Sequence, residues 1–474
     1  MFVTHSSRLA LTIAIGLALS AAFNEPVHSA ELVVHEWGTF TSLQDESGQE
    51  LYGINTDDEP VPPFVHNLNQ FLLSRPVLSS LHWQYRSKGA PRHHPLVTMR
   101  LETPVIYFYP PASQRGPLQL DVSVRFRGGW LTEFYPHAQA KADGLETGIF
   151  DFGKLTSDTV SSLAWNDLKV GTDATGPATS EQVWLAPRKV AAANVTSSEG
   201  ESERYLFYRG IGNLKAPLRA VMDRSAGSVT LHSNFQHMLA AKAKARIPQL
   251  WLVEVQADGR SAFRTLDGFD VSADSRAKLI ETSYRFEPDA FKATNRDKLV
   301  DAMHAALVAD GLYADEATAL LATWQQSYFK SPGLRLFYLV PRVWTDHYLP
   351  LTLSRDAHVE RVMIGRLELI GDRQRALLDR LASTAASDGK WVEEIPESAA
   401  RERFLAGRTD FGDLGVAIPA DYKLYLELGR FRNALVTHQE RIKPTPNLTT
   451  FINNYQLHPF RVPASQPTLP VRPD

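Results

Sequence analysis

The 474 residues contain no cysteine. That absence excludes disulfides, thiolate nucleophiles, thiolate-bound zinc and iron–sulfur clusters, so stability must come from core burial and hydrogen bonding. It also excludes the lipid anchor of bacterial type, which needs a cysteine at its cleavage site. Charge of one sign is missing as well. The formal net charge is -3, and no block of five or six like charges occurs. A balance so close to neutral leaves no electrostatic footprint for nucleic acid or for an anionic membrane. Sequence repeats and low-complexity tracts are absent. So are H-E-x-x-H, G-x-S-x-G, G-x-x-x-x-G-K-[ST] and G-x-G-x-x-G, so no catalytic or cofactor motif announces itself. Two S-x-x-K strings, at Ser275 and Ser327, lack the companion motifs that would give them meaning. Long hydrophobic runs are absent beyond the first thirty residues.

Those thirty residues are what the chain does have. A short basic start, ending at Arg8, leads into an uncharged apolar run from Leu9 to Phe23, and Val27-His28-Ser29-Ala30 precedes Glu31. The run is too short for a membrane-spanning helix, which needs ~20 apolar residues, and it has the layout of a secretory signal. The expectation is a signal peptide over 1–30 and a periplasmic or secreted protein with no integral membrane segment after cleavage. The apolar fraction of 43% and charged fraction of 22% are ordinary for a globular chain long enough to hold two or three domains.

From Glu31 to about residue 270 the pattern is strand-like. Leu118, Leu120, Val122, Val124 and Phe126 alternate with polar residues, the period-two signature of a half-buried strand. Arg219–Asp223 with Ser228–Leu231, and Trp251–Val255 with Ala262–Leu266, read as hairpins, the second around Asp258-Gly259. Helical spacing follows at Leu299, Met303, Ala306 and Leu307, stopped by Gly311. A second helix, with Asp315 as its cap, carries Ala317, Leu320, Leu321 and Trp324. Leu334–Val340 and Val359–Ile370 read as strands, Asp372 as the cap of another helix, and Asp421–Val436 as a later one. The fold predicted is α+β: an N-terminal antiparallel β-rich, sandwich-like domain over 31–270, then a helical hairpin and a mixed α/β C-terminal region over 271–474.

Three segments set a carboxylate in an otherwise apolar or aromatic run: His35-Glu36-Trp37, Leu101-Glu102-Thr103 and Thr132-Glu133-Phe134-Tyr135-Pro136-His137. A carboxylate near buried surface must be paired or hydrogen-bonded, or its pKa rises. That is how a general acid is prepared, and glycoside hydrolysis uses two such groups facing each other. The competing expectation is a plain ion pair with a nearby arginine. A fourth cluster, Pro341 to Pro350, follows the strand expected to be most buried and holds Arg342, Trp344, Asp346 and His347. The catalytic candidates are therefore Glu36, Glu133, His35, His137, Glu102 and Asp346. The binding candidates are Trp37, Tyr135, Arg342 and Trp344. The histidine spacings match no recognised ligand pair, so neither a metal nor a cofactor is named.

Val33-Val34-His35-Glu36-Trp37-Gly38-Thr39-Phe40-Thr41-Ser42 resembles the start of an uncharacterised group of exported bacterial proteins, and Glu102–Tyr109, Arg204–Gly210 and Leu334–Leu369 resemble further blocks of it. The resemblance implies one ordered fold across these blocks. It implies no activity and carries over no functional residue. Two functions stand as expectations: an exported soluble protein with a ligand-binding or structural role, or a carboxylate-dependent hydrolase, with or without a metal, acting on an extracellular polymer such as a glycan. The partner expected is a carbohydrate or another extracellular ligand.

Overall fold

Leu32–Gln44 is a strand buried along its whole length, and everything else is arranged around it. Both faces are buried, as in a central strand covered on each side. It pairs in parallel with Ala357–Leu369 and antiparallel with Met99–Tyr109. The computed structural model in which this is seen describes residues 31–56, 61–68, 86–87, 90–91, 94–145, 153–235, 245–271, 278–405, 407–408 and 411–457. The leader expected over 1–30 and the tail from Pro463 lie outside them.

The fold is α+β, as its sequence pattern predicts. A nine-stranded sheet runs in the order Ser261–Val271, Ala245–Val255, Gly333–Leu339, Ala357–Leu369, Leu32–Gln44, Met99–Tyr109, Leu206–Gly212, Gly129–Tyr135 and His66–Asn67. A second sheet contains Leu118–Arg127 and Val160–Val170, and a third joins Leu218–Asp223, Ser228–Ser233 and Lys278–Ser283. Leu118–Arg127 alternates buried and exposed residues as expected. The expected domain boundary near residue 270 falls inside the large sheet. The strands Gly333–Leu339 and Ala357–Leu369 sit between Ala245–Val255 and Leu32–Gln44, so both halves of the chain build one layer.

Each face of this layer has its own core. On one, Trp37, Tyr107, Val362 and Ile364 pack against Leu299, Met303, Leu307, Leu320 and Trp324 of the helical hairpin, Asn295–Ala309 and Ala314–Thr323. On the other, Val34, Phe40, Ile106 and Met363 join a larger core with the second sheet and the C-terminal helices. Gly365 is required here: a Cβ on it would lie 2.0 Å from the Tyr338 ring.

Three helix starts and stops differ from the sequence reading. Gly371, not Asp372, precedes the first turn of Asp372–Ser383, and the Asp372 carboxylate instead accepts from Tyr284 and Arg285. Glu316, not Asp315, closes the start of the second hairpin helix by accepting the Tyr313 N–H at 2.8 Å. The helix expected over Asp421–Val436 is two, Ala420–Glu427 and Arg432–Ile442, because Gly429 takes φ +84° between them. No helix among the described residues is long and apolar enough to cross a membrane.

Candidate functional site

The start of the central strand carries the densest set of candidates. Glu36 and Arg361 are register partners on adjacent strands, so their side chains share a face. Glu36 is enclosed; its Oε2 accepts from Arg361 Nε at 2.5 Å and its Oε1 accepts from the Tyr208 hydroxyl. Arg361 also donates to Asp346 Oδ1 at 2.8 Å and to the Leu349 carbonyl at 2.6 Å. Arg342 donates to Asp346 Oδ2 at 3.1 Å and to the Val359 carbonyl, and lies 3.7 Å from Glu360 Oε2. Glu36, Asp346 and Arg342 are thus drawn together, with Arg361 as the hub. Burial works against the Arg361 charge, but Glu36 and Tyr208 outweigh it and push the guanidinium pKa up.

His35, one residue away, points to the opposite face by strand alternation. Its Nδ1 lies 2.7 Å from Glu316 Oε2. Glu316 is fully buried and also accepts from the Tyr109 hydroxyl at 2.8 Å. Burial, then the Glu316 charge, pushes the Tyr109 pKa up. These bonds lock the second hairpin helix onto the sheet. At the hairpin turn, Asp310 has its pKa raised to about 6, first by burial and then by the Glu360 charge. Glu360 packs under Gly311, where a Cβ would lie 3.2 Å from its Oε2.

Glu133 lies elsewhere. It accepts from Arg209 Nε. Because Arg209 follows Tyr208 on one strand, the Glu133 pair and the Glu36 pair sit on opposite faces. Two strands separate their own strands, a spacing of roughly 14 Å. A hydrolytic carboxylate pair needs ~5–9.5 Å across one cleft. Glu36 and Glu133 therefore do not make that pair. His137 has acidic partners of its own; its backbone N–H donates to Glu201 Oε2 at 2.7 Å, and its Nδ1 lies 3.3 Å from Glu199 Oε2. His66 Nε2 meets the same Glu201 at 2.8 Å, and its ring stacks on Tyr135 at 5.9 Å.

Glu102 is at the other end of the central strands, where its Oε1 accepts from Arg430 Nη2 at 2.6 Å and lies 3.3 Å from Arg100 Nε. The aromatic candidates are enclosed. Trp37 and Trp344 are 0% exposed and Tyr135 2%, so none offers a ring face to a ligand at the surface. Trp37 packs with Tyr107, while Trp344 packs edge-on to Phe40 in the opposite core. Sequence reasoning missed Arg361, Glu316, Asp310, Arg366 and Glu368. The one signal available was the charge of Arg361, Arg366 and Glu368 within an otherwise strand-like run. No group of three or more His, Asp or Glu among the described residues is placed to hold a metal.

No family model matches the chain, and no curated protein matches it. Among solved structures, it is similar at a TM-score of 0.24 and 8% identity to the Fcho1 Mu homology domain of Danio rerio with bound Eps15 peptide, over 72% of this chain and 94% of that one. A likeness this slight carries no argument about fold or function.

Proposed function

We propose that this chain is an exported soluble protein that binds an extracellular ligand, and that its sequence-selected carboxylates serve as ion-pair partners. One observation sets this reading above a hydrolase built on those carboxylates: Glu36, Glu102 and Glu133 each accept from an arginine. A carboxylate engaged by a guanidinium is held as an acceptor, whereas a general acid must keep and deliver a proton. The test has two arms. The periplasmic and secreted fractions of the producing cells are assayed for a chain starting near Glu31. The purified protein is then screened for melting-temperature increases against oligosaccharides, oxyanions and amino acids, with each compound analysed afterwards. A ligand that stabilises the protein and is recovered intact supports the reading. A chain retained in the cytoplasm with its leader overturns the export claim. Cleavage of a glycan that Glu36→Gln abolishes overturns the binding claim.

A second reading has its own support. Asp310, with a pKa of about 6 beside Glu360, is suited to proton delivery near neutral pH, which is what a carboxylate-dependent glycan hydrolase requires. Hydrolysis lost in both Asp310→Asn and Glu360→Gln, but kept in Glu36→Gln, would favour it.

A further inference from the structure

The turn between the two hairpin helices brings like charges together. Asn295–Ala309 is capped at its C-terminus by Asp310, and no basic residue lies in its last turn. The free carbonyls at a helix C-terminus carry partial negative charge, so they oppose a carboxylate placed there. Asp310 is half-buried, and its carboxyl makes no hydrogen bond or ion pair among the described residues. Burial of a carboxylate without a partner disfavours its charged form.

The next residue rests the turn on a second carboxylate. Gly311 takes φ +119°, and a Cβ on it would lie 3.2 Å from Glu360 Oε2. The turn therefore meets Ala357–Leu369 at the Glu360 carboxylate, which is only partly compensated. His358 Nε2 lies 3.0 Å from Glu360 Oε1, but that imidazole is charged only when protonated. Arg342 Nη1 stands 3.7 Å from Glu360 Oε2, and the same guanidinium is engaged by Asp346 and the Val359 carbonyl. The other titratable groups around the turn have partners of their own. His35, the register partner of Glu360, meets Glu316. Asp315 accepts from the Ala191 N–H, and His304 Nε2 lies 3.0 Å from the Ala314 carbonyl. The bonds that shape the turn, from the Gly311 N–H to the Val308 carbonyl and from the Leu312 N–H to the Leu307 carbonyl, are internal to the hairpin.

We propose that this turn is a pH-operated latch: it seats on Ala357–Leu369 while a proton is shared between the Asp310 and Glu360 carboxyls, and it loosens when that proton is released to solvent. With the proton in place, one carboxyl donates to the other, and a like-charge contact becomes a hydrogen bond. Without it, Glu360 and the end of the helix both repel Asp310. Deprotonation of His358 acts in the same sense, because it strips Glu360 of a compensating charge. Burial first, and then Glu360, raise the Asp310 pKa to about 6 in the seated turn. The seat therefore binds the proton more tightly than the open turn does. It is tightest below the free carboxyl value of ~3.9 and weakens as pH rises from about 4 to about 6. The latch requires no ligand.

Hydrogen exchange of the full chain, followed by mass spectrometry at pH 4 and pH 7.5 at one ionic strength, tests it, with each rate divided by the intrinsic rate at that pH. Peptides covering residues 306–313 should lose protection about tenfold or more at pH 7.5, while those from Leu32–Gln44 keep theirs. Asp310→Asn should hold the turn at its pH 4 protection at both values. Glu360→Gln removes the repelling charge and leaves Asp310 in place, so it should shrink the loss, and it carries the test if Asp310→Asn does not fold. Four results overturn the latch: equal protection at both pH values, a loss that persists in Asp310→Asn, a loss unchanged in Glu360→Gln, or an equal loss in Leu32–Gln44, which would place the effect in the whole fold.

Discussion

At the scale of single residues, the central fact is that a buried ion pair is expensive to break and cheap to replace whole. Arg361 is 4% exposed and satisfies Glu36, which has no access to water. Arg361→Met should lower the unfolding free energy by about 3–5 kcal/mol, because Glu36 is then left uncompensated. The double variant Glu36→Gln with Arg361→Met should recover a good part of that loss. Urea unfolding of the three proteins measures both, and a loss under ~1 kcal/mol in the single variant would show the pair to be solvated. Asp310 makes a pH-dependent case. Its pKa is raised to about 6 in the fold, so folding disfavours its ionised form. The penalty is absent below the unfolded value of ~3.9, grows between about pH 4 and pH 6, and is complete above that. Asp310→Asn should therefore raise the melting temperature at pH 7.5 and leave it unchanged at pH 4. An equal shift at both values would assign the effect to something other than ionisation.

At the scale of elements, the helical hairpin is held by more than its apolar stripe. Glu316 accepts from the Tyr109 hydroxyl and the Tyr313 N–H and meets His35 Nδ1, so one side chain ties a helix start to two strands. Removing it leaves several buried donors unsatisfied, at roughly 1–3 kcal/mol for each. Glu316→Ala should speed hydrogen exchange across Asn295–Thr323 more than in the central strands, while Asp315→Ala, which loses the contact to the Ala191 N–H, should change it less. Equal exchange in both variants would mean that hydrophobic packing alone secures the hairpin. The elements themselves were largely legible. The alternation in Leu118–Arg127 and the spacing of Leu299, Met303 and Leu307 report which face is buried, and the structure agrees. Helix caps were less legible, because Asp315 and Asp372 are good cap residues by type yet are recruited by distant partners.

At the scale of the whole molecule, one sheet integrates both halves of the chain. The strand Ala245–Val255 borders Gly333–Leu339, and Leu32–Gln44 borders Ala357–Leu369. A fragment ending at residue 270 would expose the edges of two central strands and half of each core. Residues 31–270 expressed alone should lack cooperative unfolding and aggregate, whereas 31–474 should unfold as one unit with respect to these strands. A folded, soluble 31–270 fragment with a sharp melting transition would show that the halves are independent.

The sequence by itself determined the fold class, the absence of thiol chemistry, the hairpin and most strand positions, because these depend on local periodicity and composition. It also marked Glu36, Glu102 and Glu133 as acidic groups in apolar surroundings that must be compensated. Only the tertiary structure decided by what. Glu36 meets Arg361 across 325 residues and His35 meets Glu316 across 281, contacts with no local signal. Burial is written in the pattern of one segment, whereas charge compensation is a property of segments brought together.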